Sequence, residues 1–191
     1  MGLPSLSRAQ LLGQMMKNYE LPIAISGTHG KTTTTSMVSE ILLAADTDPT
    51  LSIGGILKTI GGNIRIGHDG CFVTEACEYT NSFLSFFPKI SIILNIEEDH
   101  LDFFKDIHDI RNSFHQFARL LPSDGTLIIN GEIPEINTVL EGLTCKVITY
   151  GSCEAYDYWP EQICYNETGC ASFLLKRKDG FSQQITLGVP G

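Results

Sequence analysis

The sequence predicts an α/β protein with a doubly wound, mostly parallel sheet, followed by a small antiparallel β appendage. Up to Tyr150, short apolar runs alternate with segments of helical periodicity, as in proteins whose parallel strands are buried on both faces. A glycine-rich loop, residues 27–31, separates the first predicted strand from a helix. From Gly151 onward, short strand-like runs follow one another without a helix, which favours antiparallel pairing.

The elements of the parallel part follow from apolar spacing and from helix breakers. Ser7 is a plausible N-cap for the first helix, and Pro122 ends a helix whose apolar residues recur at helical spacing. The predicted helices cover residues 7–19, 33–45, 106–121 and 134–140. The predicted strands cover residues 23–25, 50–53, 71–76, 89–96, 126–130 and 145–150, with a glycine-rich connection over 54–70. The appendage is predicted to have strands at 156–165, 170–176 and 181–187, with a turn at 178–180.

We expect one domain, made of a leading helix (1–18), an α/β core (19–150) and the appendage (151–191). At 191 residues, folding buries about 70% of the surface of the extended chain, so a full core can form. A formal charge of −9 argues against a nucleic-acid surface, because a phosphate backbone would be repelled. The longest apolar runs are only strand-sized, and the first residues do not resemble a signal peptide, which predicts a cytoplasmic protein without a membrane partner.

The six cysteines include no Cys-x-x-Cys pair. Without a secretory signal, reduced thiols are the favoured interpretation. A zinc site built from Cys164, Cys170 and a histidine is the less favoured alternative, since their spacing fits no common ligand pattern.

The loop after the first strand has the chemistry of a phosphate site. Gly27 and Gly30 permit the tight backbone turns that point successive N–H groups into one concavity, and the following helix adds its positive end. Lys31 is placed to contact the β- and γ-phosphates of a nucleoside triphosphate, and the hydroxyl of Thr32 is placed to ligate Mg²⁺.

This loop is shorter than the usual phosphate loop, with two residues between its glycines where the common pattern has four. An ordinary strand-to-helix turn is therefore an alternative. The β-branched run 32–35 favours a functional loop, because four threonines are poor material for a first helical turn.

Two further strands end in polar residues. Glu75 follows one apolar strand, and His100 lies in the acidic run 97–102 after another. Because ligands bind at the carboxyl ends of parallel strands, these groups are candidates to converge on the loop. Taken singly, each has a structural alternative: a solvated carboxylate, a solvated acidic loop, or a histidine that caps a helix.

Three motifs together resemble the Mur ligase family, which builds the bacterial cell-wall peptide. They are Gly-Thr-His-Gly-Lys-Thr-Thr-Thr-Thr in the loop, Glu-Ala-Cys-Glu-Tyr with Ser-Phe-Leu from Glu75 onward, and Asn95 with Glu-Asp-His-Leu-Asp at 98–102. The spelling is similar to the alanine-adding branch. The resemblance implies that Thr32 and Glu75 hold one Mg²⁺ and that His100 helps to hold a second. It also implies catalytic roles for Lys31, Glu75 and His100, and contacts to ATP from Gly27, Thr28, His29, Gly30, Lys31, Thr32, Thr33 and Asn95.

The implied reaction is ATP-dependent amide formation between UDP-N-acetylmuramate and L-alanine. The resemblance covers a central ATP-binding domain, so we expect the flanking UDP-binding and C-terminal domains to be absent and the chain alone to be inactive. Several sister ligases carry a carbamylated lysine in the helix after the Asp-His pair, whereas residues 112–116 of this sequence include no lysine and His115 lies near the expected place. The alternatives are a non-catalytic ATP-binding switch, or a related muropeptide or folylpolyglutamate-type ligase. The oligomeric state is left open by the sequence.

Overall fold

A computed structural model describes residues 5–190, so the first four residues of the predicted leading helix lie outside the described residues. The chain forms two compact units. The first contains Met1–Ile128 and Ile133–Val147; the second contains Ile129–Glu132 and Ile148–Gly191, close to the predicted appendage.

Helices and strands alternate in the first unit, and strands follow one another in the second, as predicted. The helices are α1 (Arg8–Met16), α2 (Lys31–Ala44), α3 (Ile107–Ala118) and α4 (Ile136–Leu140). The strands are β1 (Leu21–Ser26), β2 (Thr50–Leu57), β3 (Gly62–Arg65), β4 (Cys71–Glu75), β5 (Ile90–Ile93), β6 (Thr126–Asn130), β7 (Lys146–Tyr150), β8 (Tyr158–Tyr165), β9 (Cys170–Arg177) and β10 (Ser182–Pro190). Two 3₁₀ segments cover Lys58–Ile60 and Tyr79–Ser85. None of the helices in residues 5–190 has the length and apolar character that a bilayer crossing requires.

In the first unit β1 lies at the centre of a mostly parallel sheet, in the order β6-β5-β1-β4-β2-β3. It pairs in parallel with β4, with Ile25 opposite Glu75, and with β5, with Ser26 opposite Ile93. The carboxyl ends of three parallel strands therefore meet at one edge. The predicted α/β class with a mostly parallel sheet is confirmed.

Helices cover both faces of this sheet. On one face Ile23 and Ile25 belong to a buried cluster with β2 and β4, against which Val38 and Leu42 of α2 pack. Side chains alternate across a strand, so Phe72 of β4 points to the opposite face, where its ring lies 5.1 Å from that of Tyr19, just after α1. Elsewhere in this unit, three aromatic rings pack together: Phe83, Phe114 and Phe117.

The helix starts obey local capping chemistry. Ser7 Oγ accepts a hydrogen bond from Gln10 N at 3.2 Å, and Gln10 Oε1 accepts one from Ser7 N at 2.9 Å, which forms a capping box. At α3 the Asp106 carboxylate accepts from Asp109 N at 2.9 Å. The predicted Ser7 cap is confirmed, although α1 ends at Met16 rather than at Tyr19.

The predicted glycine-rich connection over 54–70 contains the end of one strand and the whole of another, which the sequence did not predict. β2 continues to Leu57 and pairs antiparallel with β3, with Leu51 opposite Arg65. Gly61 adopts a φ of +65°, which lets the chain reverse between the two strands. Two consecutive glycines interrupt the apolar run and concealed the hairpin, because glycine normally weakens a strand.

In the second unit β8, β9 and β10 pair antiparallel in sequence order, as predicted. Gly180, with a φ of +92°, lies in the predicted turn, and its N–H donates to Arg177 O at 3.0 Å. One pairing differs, because β8 starts beside β7 in parallel, with Tyr158 opposite Tyr150.

Candidate nucleotide site

The glycine loop leaves β1 and enters α2 with a backbone that only glycine adopts easily. Gly27 has a φ of +143° and Gly30, the N-cap of α2, has a φ of +81°. A Cβ at Gly27 would lie 3.0 Å from Leu94 Cβ and 3.2 Å from Asn95 N. Within the described residues no side chain caps α2, so its first N–H groups and its positive end face the loop. This is the arrangement that binds anions.

Asn95 holds the glycine loop in place through hydrogen bonds. Its Oδ1 accepts from His29 N at 2.7 Å, its Nδ2 donates to His29 O at 3.1 Å, and its own carbonyl accepts from Thr28 N at 3.2 Å. The Thr28 hydroxyl accepts from Glu97 N at 2.9 Å. Both sides of the Asn95 amide are thus used to hold the loop, and its contact to ATP stays a prediction.

The His29 imidazole is exposed and lies 3.7 Å from the Glu97 carboxylate, which is exposed as well. Such a surface pair contributes little to stability, so the side chain of His29 is available to a ligand.

Lys31 folds back across the loop. Its Nζ donates to Gly27 O at 2.6 Å and to Thr28 O at 3.1 Å. It also lies 3.0 Å from Glu78 Oε2, and only 3% of the Glu78 side chain is exposed. The predicted phosphate ligand is therefore paired with a buried carboxylate that our sequence analysis did not assign to the site.

Thr32 and Glu75 meet as predicted. Thr32 Oγ1 donates to Glu75 Oε2 at 3.1 Å, and Gly54 N donates to Glu75 Oε1 at 2.6 Å. A Cβ at Gly54 would lie 2.5 Å from that carboxylate, and one at Gly55 would lie 3.1 Å from Thr32 Cγ2. The two glycines of β2 therefore leave the space that the Thr32–Glu75 pair occupies. A hydroxyl and a carboxylate are hard oxygen ligands, which fit Mg²⁺. Thr33 lies beside this pair in the first turn of α2, where it is exposed.

His100 lies apart from the Thr32–Glu75 pair, in a group of its own with Glu78 and Asp99, and its predicted role at a second Mg²⁺ stays a prediction. Its Nε2 is 3.8 Å from Glu78 Oε1 and its Nδ1 is 3.9 Å from Asp99 Oδ1. Among residues 5–190, Glu78, Asp99 and His100 are the only three His, Cys, Asp or Glu side chains close enough together to hold one metal ion. His100 forms no hydrogen bond or ion pair with Thr32 or Glu75. The cysteine-based zinc alternative gains no support from this search, because Cys164 and Cys170 belong to no such group.

Tyr79 supports the His100 side of the site. Its ring lies 4.5 Å from the imidazole, and its hydroxyl donates to Asp102 Oδ2 at 2.8 Å. This hydrogen bond and the nearby negative charge raise the pKa of Tyr79. His100 itself has a φ of +52°, which non-glycine residues adopt rarely.

His115, which the sequence predicts to lie near the place of the modified lysine of sister ligases, contacts α4. Its Nδ1 lies 3.1 Å from Val139 O, and it forms no hydrogen bond or ion pair with the loop or with His100. We therefore assign it a packing function between α3 and α4.

Comparison with known proteins gives a family match over most of the chain. A family model described as the Mur ligase middle domain matches residues 25–191. The chain is 57% identical over 190 residues to a UDP-N-acetylmuramate–L-alanine ligase from Agathobacter rectalis, covering 100% of this chain and 41% of that protein. It thus spans about two fifths of the length of the curated relatives it matches.

Two solved structures have the same fold. One is a UDP-N-acetylmuramate-alanine ligase from Thermotoga maritima, with 26% identity, a TM-score of 0.78, and coverage of 95% of this chain and 40% of that chain. The other is a UDP-N-acetylmuramate:L-alanyl-gamma-D-glutamyl-meso-diaminopimelate ligase from Neisseria meningitides. It is 27% identical with a TM-score of 0.86, and the match covers 100% of this chain and 62% of that chain.

Proposed function

The chain belongs to the Mur ligase family as a middle domain, and from this premise we propose that it binds ATP within a cytoplasmic ligase of cell-wall peptide synthesis. The proposed reaction joins the lactyl carboxylate of UDP-N-acetylmuramate to the amino group of L-alanine. One observation carries the proposal: Lys31 and the Thr32–Glu75 pair lie together at the glycine loop, where three parallel strands end. The 57% identical relative named as the alanine ligase supports the choice of substrates.

The loop and Lys31 bind and orient the triphosphate. Backbone N–H groups at the start of α2 donate to phosphate oxygens, and the Lys31 ammonium supplies a positive charge. That charge is needed because the attacking carboxylate and the γ-phosphate repel each other by about 4 kcal/mol at 4 Å in an effective dielectric near 20.

Thr32 and Glu75 would hold one Mg²⁺ through oxygen ligands, and His100 would help to hold a second beside Glu78 and Asp99. Bound there, Mg²⁺ neutralises charge that develops on the phosphate oxygens. The protein's own contribution is to fix these ligands: Gly54 N orients the Glu75 carboxylate, and Asp99 accepts from His100 N at 2.7 Å.

The reaction then proceeds in two steps. A carboxylate oxygen of UDP-N-acetylmuramate bonds to the γ-phosphorus while the bond to the β-phosphate oxygen breaks, which gives an acyl phosphate and ADP. The alanine amine next attacks the acyl carbon to form a tetrahedral intermediate and loses a proton. The bond from the acyl carbon to the phosphate oxygen then breaks, and inorganic phosphate leaves. No side-chain nucleophile is required, so positioning and charge stabilisation supply the catalysis.

Two other functions make different predictions. A non-catalytic ATP switch gives no role to the Thr32–Glu75 pair, so Glu75→Ala would leave Mg²⁺-ATP affinity unchanged. A muropeptide ligase, supported by the Neisseria meningitides structure with a TM-score of 0.86, would accept a short peptide in place of L-alanine.

The test measures phosphate release by the protein extended to the full length of its relatives. The assay contains ATP, UDP-N-acetylmuramate and either L-alanine or an alanyl peptide. We expect release that depends on L-alanine and on UDP-N-acetylmuramate together, and loss of that release in Glu75→Ala. Release that requires the peptide would favour the muropeptide ligase. Absence of release with either amine, in a protein that binds ATP, would favour the switch.

A further inference from the structure

Glu78, the buried carboxylate that pairs with Lys31, lies where it affects nucleotide binding. Both oxygens of the Glu78 carboxylate lie within hydrogen-bonding distance of Lys31 Nζ, at 3.0 and 3.2 Å. Only 17% of the Lys31 side chain and 3% of the Glu78 side chain are exposed. Among residues 5–190, Glu78 is the only carboxylate that forms an ion pair with Lys31.

All the hydrogen-bonding capacity of the ammonium is directed at the protein. A lysine ammonium has three donors. Gly27 O, Thr28 O and the Glu78 carboxylate are three acceptors for them. A phosphate oxygen that takes a hydrogen bond from Lys31 must therefore displace one of these partners, and Glu78 is the one that competes with phosphate by charge.

We propose that Glu78 is a positioning residue, which holds Lys31 across the glycine loop and competes with the triphosphate for its ammonium group. This inference rests on the proposed function, since it takes ATP as the ligand of the loop. When Lys31 turns to phosphate, the imidazole of His100, 3.8 Å away, is the one partner that the buried Glu78 carboxylate retains among residues 5–190. Leaving a buried carboxylate with less compensation is unfavourable, so this exchange weakens nucleotide binding.

The first test is titration calorimetry of ATP with EDTA present, which removes metal effects. Glu78→Gln keeps the shape of the side chain and removes the competing charge. We expect ATP to bind about tenfold tighter to this variant, a change of about 1.4 kcal/mol. Glu98→Gln is the matched control, because it also removes one negative charge, from the acidic run 97–102, and the Glu98 side chain forms no ion pair among the described residues. It should change affinity by less than about twofold.

A purely structural role for Glu78 predicts no gain in ATP affinity. If Glu78 only supported the loop, Glu78→Gln would bind ATP equally or more weakly, and either result would overturn the proposal. An equal gain in ATP affinity in Glu78→Gln and Glu98→Gln would show that the effect comes from net charge alone, and this result would also overturn the proposal.

A second measurement needs no nucleotide and separates this inference from the proposed function. Melting temperatures are compared for the wild type, Lys31→Met, Glu78→Gln and the double variant. Each single change leaves a buried polar partner without its counter-charge, so the double variant should lose less than the sum of the two single losses. Additive losses would show that the pair is not formed. Failure of the wild type to bind ATP would instead refute the proposed function and leave this result standing.

Discussion

Gly54→Ala tests whether the space beside Glu75 sets metal-dependent nucleotide affinity. The new methyl carbon would lie 2.5 Å from Glu75 Oε2 and 2.8 Å from its Oε1, so the carboxylate has to move. That movement breaks the 2.6 Å hydrogen bond from Gly54 N and the 3.1 Å bond from Thr32 Oγ1. Loss of one hydrogen bond to a charged group costs about 1.5–3 kcal/mol.

We therefore expect Mg²⁺-ATP to bind about ten- to a hundredfold more weakly to Gly54→Ala, while ATP in EDTA is affected much less. Calorimetric titration under both conditions measures the difference. Gly62→Ala is the control from the same hairpin, because the nearest atom to its Cβ would be Ile64 O at 4.0 Å. Equal Mg²⁺-ATP affinity in Gly54→Ala and wild type would refute the assignment of Glu75 to the metal.

Two further predictions concern stability. Phe83→Ala removes a fully buried ring that stacks on Phe117 with 4.6 Å between the ring centroids. The free energy of unfolding, measured by heat or denaturant, should fall by about 3–5 kcal/mol. A fall of less than about 1 kcal/mol would contradict this packing. Hydrogen bonds from His68 and Arg65 lower the pKa of Asp48 to about 2 in the folded protein. In the unfolded chain the pKa of this carboxyl is about 3.9. The ionised Asp48 therefore stabilises the fold above about pH 3.9, and this stabilisation is lost as pH falls toward 2. Asp48→Asn should accordingly melt below wild type at pH 7, and the gap should close as pH falls from 4 to 2; a constant gap would exclude the linkage.

Local chemistry explains the parts of the fold and site that the sequence predicts. The Ser7 cap, the glycine loop and the start of α2 each depend on residues a few positions apart, which a reader of the sequence sees together. The meeting of Thr32 with Glu75 follows from one additional rule, that parallel strands bring their carboxyl ends to the same edge.

The missed features depend on distant partners. Glu78 resembles any polar residue after a strand, and only its burial against Lys31, 47 positions earlier, reveals its function. Gly54 looked like a strand breaker, whereas its missing side chain makes room for Glu75. The strand predicted to run to residue 96 ends at Ile93, because the backbone after it turns away to hold the loop through Asn95.

The central claim, that the loop binds the triphosphate of ATP through Lys31, is tested most directly by titrating Mg²⁺-ATP into Lys31→Ala. Lys58→Ala serves as a control, since Lys58 is exposed and forms no ion pair among the described residues. Circular dichroism should show a native spectrum for both variants. We expect wild type and Lys58→Ala to bind alike and binding to Lys31→Ala to be undetectable; wild-type affinity in a folded Lys31→Ala would contradict the claim.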